Sequence, residues 1–198
     1  MHPASRPTAG SPACYPEPVA FAVLDVDYEA GTDAATAACV VADRDADATP
    51  FATLVARIDH VAPYVPGRFA ERELPCLLAV LAKLRDPVDT LVIDGYVQLD
   101  AAGTPGLGAH LYDHFAGRYA VIGVAKTPYG DGGFAIPVYR GGSRQPLWVT
   151  AAGVPPEQAA ARVQAMHGAH RIPTLLTWVD RLAAGDPPPW PIGRGGPC

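Results

Sequence analysis

The sequence predicts an α/β fold in which a mixed β-sheet carries helices on its faces. Three apolar segments rich in β-branched and aromatic residues come first, and helical and strand-like segments alternate after them. Consecutive strands with short links indicate an antiparallel meander, whereas alternation of helix and strand indicates parallel strands joined by crossover helices. The resulting β-β-β-α-β-α-β order is the chain order of ribonuclease-H-like folds.

The length and composition are those of one globular domain. The chain has 198 residues, and a domain typically takes roughly 100 to 200 residues. Hydrophobic residues make up 49% of the chain and charged residues 18%, which excludes a disordered protein and a charge-rich coiled coil. Because the prolines crowd the two ends, we expect a folded domain over residues 19–185 between flexible tails at residues 1–18 and 186–198.

The predicted elements follow from local patterns. Residues 18–28, 33–42 and 51–58 have the composition of strands. The spacing of one helical face recurs at Phe69, Leu77, Val80, Leu81 and Leu84. Buried strands are predicted at residues 90–93 and 119–124. A hairpin over residues 135–150, turning at Gly141-Gly142, and helices at about 155–167 and 173–184 complete the domain.

Several classes of protein are excluded by what the sequence lacks. There is no phosphate-binding P-loop, no nucleophile elbow, no HExxH zinc motif and no EF-hand loop. The four cysteines, at positions 14, 39, 76 and 198, form no CxxC pair, so we expect free thiols. The chain has no apolar stretch of about 18 residues and no signal-peptide core. We therefore expect a cytoplasmic protein with no membrane contact.

The charge is unevenly distributed along the chain. A net charge of −5 argues against bulk electrostatic binding of nucleic acid. However, residues 1–59 hold three arginines and nine acids, whereas residues 60–198 hold twelve basic and eleven acidic residues. If some of the later acids bind metal, the remaining surface of this part is mildly basic. The charge therefore permits a phosphate-containing partner without requiring one.

Asp25 is an acid predicted on an apolar face. Alternation along the first strand places it on the same face as Phe21 and Val23. A carboxylate in such a place must be paired, hydrogen-bonded or bound to a cation, because a bare charge in a dry environment is very costly. The alternative is a strand that ends at Leu24, with Asp25 capping a turn.

Glu73 lies four residues from both Phe69 and Leu77, inside the apolar stripe of the first predicted helix. Proline is tolerated in a first helical turn, so Pro75 requires either a helix that starts near residues 71–74 or a kink. Glu73 stays close to the sheet in both cases. The alternative is an exposed glutamate near a helix N-terminus, stabilised by the helix dipole.

Asp94 follows the predicted strand at residues 90–93, and open sheets bind ligands at the carboxyl ends of parallel strands. Asp-Gly is also a common turn, so this position alone is weak evidence. Together, Asp25, Glu73 and Asp94 can converge over one edge of the sheet. Such oxygen ligands suit Mg²⁺, and a magnesium site of this kind suits metal-assisted hydrolysis of a phosphodiester.

Four motifs stand in order along the chain: LDVDY (24–28), YVPGRFAERELP (64–75), VIDG (92–95) and IGVAK (122–126). In order and approximate spacing they resemble the motifs of the endonuclease V family, the deoxyinosine 3′-endonucleases. The likeness runs from about residue 19 to 184. It implies a ribonuclease-H-like fold and an endonuclease that needs Mg²⁺ or Mn²⁺ and cuts the second phosphodiester 3′ to inosine in DNA or RNA.

The resemblance also implies a role for each matching residue. The metal-binding carboxylates would be Asp25, Glu73 and Asp94, and the basic group near the scissile phosphate would be Lys126. The wedge that parts the strands would be Tyr64, Val65, Pro66 and Gly67. The pocket for a flipped base would be walled by Gly95, Ile122 and Gly123. Base flipping suits the chemistry because unstacking costs least at a mispaired base.

Two family histidines are replaced in this chain. Asp100 stands where the family has a histidine after its DG motif, and Val154 stands where it has the histidine of a PGH motif. His110, in GLGAH, resembles the family's SH-LG segment. His167 and His170 either supply a missing imidazole or are ordinary helix-end residues, which the helix dipole favours.

The sequence leaves three functions open. The first is an inosine-directed endonuclease with Mg²⁺ or Mn²⁺ as cofactor and nucleic acid as partner. The second is a protein on the same scaffold that binds nucleic acid without cutting, a reading that the replaced histidines and the acidic total charge favour. The third is a metal-dependent nuclease for a different phosphodiester. In each case we expect a monomer.

Overall fold

The computed structural model describes residues 20–190. Within them the elements are β1 (Ala20–Tyr28), β2 (Ala35–Ala42), β3 (Ala52–Ile58), α1 (Phe69–Leu81), β4 (Val88–Asp94), α2 (Leu107–His114), β5 (Ala120–Ala125), β6 (Ile136–Val138), β7 (Leu147–Ala152), α3 (Pro156–Ala165) and α4 (Thr174–Ala183). The predicted tail at residues 1–18 lies outside the described residues, as do residues 191–198 of the other predicted tail.

The strands form one mixed sheet in the order β3-β2-β1-β4-β5-β7-β6. The meander β1-β2-β3 is antiparallel, and β4 and β5 lie parallel to β1, which the helices α1 and α2 make possible as crossover connections. The predicted hairpin is β6-β7, and β7 pairs antiparallel with β5. The predicted ribonuclease-H-like α/β class is thus confirmed.

Helices cover both faces of the sheet because strand residues alternate between two apolar cores. One core joins Phe21, Val23 and Val92 to α3 and α4, and the other joins Leu24 and Ile93 to α1 and α2. This two-sided burial explains why the central strands read as nearly continuous apolar runs. Each position along a central strand therefore has a defined helical layer above it.

Helix α1 begins at Phe69, so Pro75 lies inside it. The alternative of a helix starting near residues 71–74 is therefore wrong. A proline at position 75 cannot donate to the carbonyl of Glu71, four residues earlier. Both residues are exposed, so water can satisfy that carbonyl and the interruption is tolerated.

Other predictions concern the surface and the thiols. Cys39 and Cys76 are buried and free, as predicted, whereas Cys14 and Cys198 lie outside the described residues.

Trp190 packs against the core formed with α3 and α4, and its indole N–H donates to Thr53 Oγ1 on the edge strand β3 at 3.3 Å. Among residues 20–190, no helix combines the length and apolar character that a membrane crossing requires.

Candidate metal centre and nucleic-acid site

Adjacent parallel strands bring two of the predicted acids together. Strand β1 continues to Tyr28, so Asp25 lies within it, opposite Ala38 of β2, and does not cap a turn. Val23 of β1 is in register with Val92 of β4. Two residues further on, Asp25 and Asp94 project from the same face of the sheet. That face is the one covered by α3 and α4.

A third acid comes from helix α4. Asp180 joins Asp25 and Asp94 in a cluster in which one carboxylate oxygen of each residue lies within 4.8 Å of the others. Helix α4 packs its apolar face on the sheet through Leu175, Leu176 and Val179, which leaves Asp180 at the margin of that contact. Three carboxylates from three elements therefore converge at one edge of the sheet.

Lys126 lies immediately after β5 and contacts two of these acids. Its Nζ is 2.6 Å from Asp94 Oδ2 and 3.3 Å from Asp180 Oδ1. Partial burial alone would lower the pKa of Lys126, but the hydrogen bond and negative charge of Asp94, with a contribution from Asp180, raise it above its ordinary value. Lys126 is therefore a firmly charged ammonium directed into the carboxylate cluster.

One lysine does not balance the negative charge of this cluster. Burial, followed by the charge of Asp94, raises the pKa of Asp25 to about 7, although the backbone N–H of Val26 donates to Asp25 Oδ1 at 2.9 Å. A carboxylate with so high a pKa is held where its ionised form lacks sufficient positive charge. A cation placed among these oxygens would remove that deficit.

Glu73 approaches from the opposite helical layer. It is 4% exposed, and its Oε2 is buried without a hydrogen-bond partner among the described residues. Burial, followed by the charges of Asp25 and Asp94, raises the pKa of Glu73 to about 8. The predicted burial of Glu73 is thus confirmed, whereas its role as a metal ligand stays a prediction, because the tightest cluster contains Asp180 instead.

The donor set fits a hard divalent cation. It consists of carboxylate oxygens, which Mg²⁺ and Mn²⁺ prefer, and it includes no thiol or imidazole. The unpartnered Oε2 of Glu73 adds a fourth acid close enough for its pKa to respond to Asp25 and Asp94. Asp25, Asp94 and Asp180 are therefore the residues best placed to bind such an ion directly.

The predicted wedge is a turn with exposed apolar side chains. The N–H of Arg68 donates to the carbonyl of Val65 at 3.0 Å, and Gly67 adopts a φ of 79°, the left-handed conformation that a type II turn needs after proline. Tyr64 is 61% exposed and Val65 44% exposed. Large apolar groups on a rigid turn can be inserted between bases at little entropic cost.

The predicted pocket residues have different environments. Gly95 has a φ of 131°, and its carbonyl would lie 2.6 Å from a Cβ added to Gly123. The turn after β4 therefore crosses directly over β5, which is possible because Gly123 has no side chain. Ile122 is 0% exposed and belongs to the sheet core, so it offers no free surface to a base.

The residues that replace the family histidines are engaged elsewhere. Asp100 accepts hydrogen bonds from the N–H and the hydroxyl of Thr104 at 2.9 and 2.5 Å, and these bonds lower the pKa of its carboxyl. Val154 packs against the core formed with α3 and α4. His110, His167 and His170 are exposed, and none of them belongs to the carboxylate cluster.

Sequence reasoning missed Asp180 and an aromatic group beside the site. Tyr129, three residues after Lys126, is 51% exposed, and its ring packs edge-on against Tyr96 at 6.2 Å. The Tyr96 hydroxyl donates to the carbonyl of Thr127 at 2.7 Å and accepts from the N–H of Tyr129 at 3.1 Å. The only sequence signal was Tyr96 directly after Asp94-Gly95, which places an aromatic residue at the carboxyl end of β4.

Known proteins resemble this chain in sequence. The family model for endonuclease V matches residues 13–160. The endonuclease V of Streptomyces coelicolor is 41% identical over 107 residues, which are 54% of this chain and 44% of that protein. The matched segment thus spans less than half the length of this relative.

Solved structures resemble it in fold. The crystal structure of endonuclease V from Streptomyces avermitilis is 30% identical and has a TM-score of 0.68, with 86% of this chain and 82% of that chain covered. The endonuclease V of Ciona intestinalis, in complex with a 24mer DNA containing an inosine followed by a ribo-adenosine, is 18% identical. Its TM-score of 0.68, over 84% of this chain and 85% of that chain, is a likeness of fold alone.

These matches agree with the motifs. The family model covers the wedge turn, Asp25, Glu73, Asp94 and Lys126. The family predicted from four short motifs is thereby confirmed, and the chain belongs to the endonuclease V family.

Proposed function

We propose that this chain is a divalent-metal-dependent endonuclease that hydrolyses a phosphodiester 3′ to inosine in DNA or RNA. The observation that carries the proposal is the convergence of Asp25, Asp94 and Asp180 within 4.8 Å of one another, with the Nζ of Lys126 2.6 Å from Asp94. Carboxylates suit a hard divalent cation, and a cation held there would stabilise the negative charge that develops during hydrolysis of a phosphodiester.

Asp25, Asp94 and Asp180 would hold the ion, and Mg²⁺ or Mn²⁺ bound there would act as a Lewis acid on the scissile phosphate. Lys126 has three N–H donors, and its described contacts are with two carboxylates. A third donor is thus left for a non-bridging phosphate oxygen. Glu73, buried near the cluster with an unpartnered oxygen, would complete the site by contact with the ion or with a water bound to it.

Inosine as the target base is supported by the family and by the surface around the site. The fold neighbour from Ciona intestinalis was solved with DNA containing an inosine. In this chain the exposed Tyr64 and Val65 would fill the gap left by a flipped base, and Gly95 and Gly123 would form the close-packed floor of its pocket. Aromatic groups such as the exposed Tyr129 are suited to stacking on bases.

A second function, binding of nucleic acid without cleavage, is favoured by one observation. Asp100 closes a local turn with Thr104, and Val154 packs in the core, so neither replaces the chemistry of a histidine. If those imidazoles were needed for hydrolysis, the carboxylate cluster would bind a metal and the chain would hold nucleic acid without cutting it.

Incubation with end-labelled oligonucleotides separates these functions. Oligonucleotides with and without a single inosine, in both DNA and RNA, are incubated with the protein in Mg²⁺ or Mn²⁺, and nicks are mapped on a gel. We expect cleavage near inosine that is lost in Asp25→Ala and Asp94→Ala, with folding retained by circular dichroism. Binding without nicks supports the second function, and cleavage indifferent to inosine indicates a nuclease of different specificity.

A further inference from the structure

The loop between α3 and α4 is fixed to the sheet by a buried arginine. Arg140, two residues after β6, is 5% exposed. Its guanidinium donates to the backbone carbonyls of Gly168, His170 and Arg171, each at 3.3 Å, and also to the carbonyl of Met166. A guanidinium that binds four carbonyls of one loop leaves the loop backbone little freedom.

Close packing beside Arg140 restricts the same loop further. Gly141 has a φ of 58°, and a Cβ added to it would lie 2.5 Å from the carbonyl carbon of His170. The turn after β6 therefore rests directly on the loop backbone, where no side chain fits between them. Arg171, the next residue of the loop, is consequently held in a defined position.

Arg171 reaches from this loop to the ends of two neighbouring strands. Its guanidinium donates to the carbonyl of Lys126, just after β5, and to the carbonyl of Pro146, just before β7, at 2.9 Å. It also donates to the side-chain oxygen of Gln145 at 3.3 Å. These contacts join the strand end that carries the site's ammonium group to the segment that leads into α4.

The contacts of Arg171 connect the chain segments that carry Lys126 and Asp180, which form an ion pair. The β5-β7 ladder ends at Ala125 and Trp148, so Lys126 lies beyond the last paired residue of its strand. Helix α4 starts at Thr174, three residues after Arg171, and carries Asp180, whose Oδ1 is 3.3 Å from Lys126 Nζ. Removal of Arg171 would leave the backbone of Lys126 without this anchor to the α4 side of the site.

We propose that Arg171 is a positioning residue, which fixes the backbone of Lys126 so that its ammonium stays between Asp94 and Asp180. The inference deepens the proposed function and rests on it, because it assigns the control of a catalytic group. Arg171 acts here through hydrogen bonds to carbonyls and not through contact with substrate. Its effect should therefore vanish when Lys126 itself is removed.

A spectroscopic test does not require cleavage. Lysine occurs only at positions 83 and 126 of the chain, so protein labelled with ¹⁵N-lysine gives two ammonium signals. Lys83 donates to the carbonyl of Val55 at 2.7 Å and serves as an internal reference. In Arg171→Ala we expect the Lys126 signal to shift towards that of a free lysine and its hydrogen exchange to accelerate, while the Lys83 signal stays unchanged.

The controls for this measurement are two further arginine variants. Arg144→Ala removes an exposed arginine near the same hairpin and should leave both signals unchanged. Arg171→Gln adds no lysine and cannot bind two carbonyls in the geometry of a guanidinium, so it should reproduce the shift and is the variant to use if Arg171→Ala fails to fold. A Lys126 signal that stays in place in the folded Arg171 variant would overturn the proposal.

Kinetics on the inosine substrate distinguish positioning from phosphate binding. We expect Arg171→Ala to lower kcat roughly 10- to 100-fold with KM little changed, as misplacement of a catalytic group does. In a Lys126→Ala background the same substitution should cost little more, because the two residues act as a unit. A raised KM, or an undiminished loss in that background, would mean direct substrate contact and refute the proposal. A wild-type chain that does not cleave contradicts the proposed function and leaves the spectroscopic result to decide the position of Lys126.

Discussion

Two of the charged clusters among the described residues differ in how their charges are balanced. The first joins the loop after β2 to α3. Arg162 Nη2 donates to Asp45 Oδ1 and Nε to Asp45 Oδ2, each at 3.1 Å, and Arg162 Nη1 donates to Thr90 Oγ1 at 2.8 Å. The guanidinium also lies 5.5 Å from the centre of the Phe21 ring. One base meets one acid, and the geometry is bidentate.

The second cluster has an excess of acids. Asp25, Asp94 and Asp180 converge, with Lys126 as a cation that contacts Asp94 and Asp180. Glu73 is close enough for its pKa to respond to Asp25 and Asp94. A domain that optimised its stability would pair these groups or leave them in water. The balanced cluster connects two elements of the fold, whereas the excess of negative charge in the second cluster indicates where a bound cation would stabilise the protein.

Asp180→Asn should reduce cleavage far more than the matched substitution in the balanced cluster, and it tests the unbalanced cluster. The amide keeps the shape of the side chain but loses the charge offered to a cation and to Lys126. We expect cleavage of the inosine oligonucleotide to fall roughly 100-fold, the scale on which loss of a metal-site group acts. Thermal unfolding without metal should occur at the same temperature or higher, because like-charge repulsion is relieved. Wild-type cleavage by Asp180→Asn would remove this residue from the site.

Asp45→Asn is the matched substitution in the balanced cluster. It leaves the guanidinium of Arg162 without its charged partner while both side chains stay mostly buried, at 22% exposure each. We expect the free energy of unfolding to fall by about 1 to 3 kcal/mol, measured by urea denaturation. Cleavage should stay within roughly twofold, as for a substitution away from the site. If Asp45→Asn weakened cleavage as strongly as Asp180→Asn, the contrast between the two clusters would be lost.

The unbalanced cluster should also make stability depend on pH in an unusual direction. Because the folded protein raises the pKa of Asp25 to about 7 and that of Glu73 to about 8, it binds more protons than the unfolded chain at neutral pH. Stability without metal should therefore fall as the pH rises from near 4 towards 8. Thermal unfolding at a series of pH values measures this, and the double variant Asp25→Asn, Glu73→Gln should flatten the profile.

Thermal unfolding at a series of pH values with added Mg²⁺ or Mn²⁺ tests whether the ion binds to the same carboxylates. The cation competes with protons for the same oxygens, so its stabilising effect should grow as the pH rises. The same titration of Asp45→Asn should retain the whole metal effect, since Asp45 lies outside the carboxylate cluster. Equal stabilisation by metal at low and high pH would mean that the ion binds away from Asp25 and Glu73.

Much of the fold and part of the site could be predicted from the sequence, because buried apolar residues recur at the period of the strand or helix that carries them. The alternation around Asp25 and the helical spacing around Glu73 both place an acid among apolar residues, and neither pattern needs a knowledge of tertiary contacts. The family motifs, confirmed by the comparisons, added Lys126, which on local pattern alone is an ordinary lysine at a strand end.

Asp180 could not be predicted in this way. In an amphipathic helix, a polar residue beside the apolar stripe is expected whether or not it has a function. Only the packing of α4 across β1 brings this residue to Asp25 and Asp94. The sequence left two positions open for Pro75 for a related reason, since the exposure that makes an interior proline tolerable depends on which side of α1 faces the sheet.

His170→Ala should have the smallest effect. His170 and His167 were candidates to replace the missing family imidazoles, yet both are exposed, and the described hydrogen bond of the His167 ring is with Thr174 Oγ1 at 2.9 Å. Arg140 and the turn at Gly141 contact the backbone of His170, which alanine preserves. We expect cleavage within roughly twofold of wild type, as for surface substitutions in general, and the same for the control His114→Ala at the end of α2. A loss of tenfold or more in His170→Ala alone would place an imidazole in the chemistry and show that charge imbalance is an incomplete guide to the site.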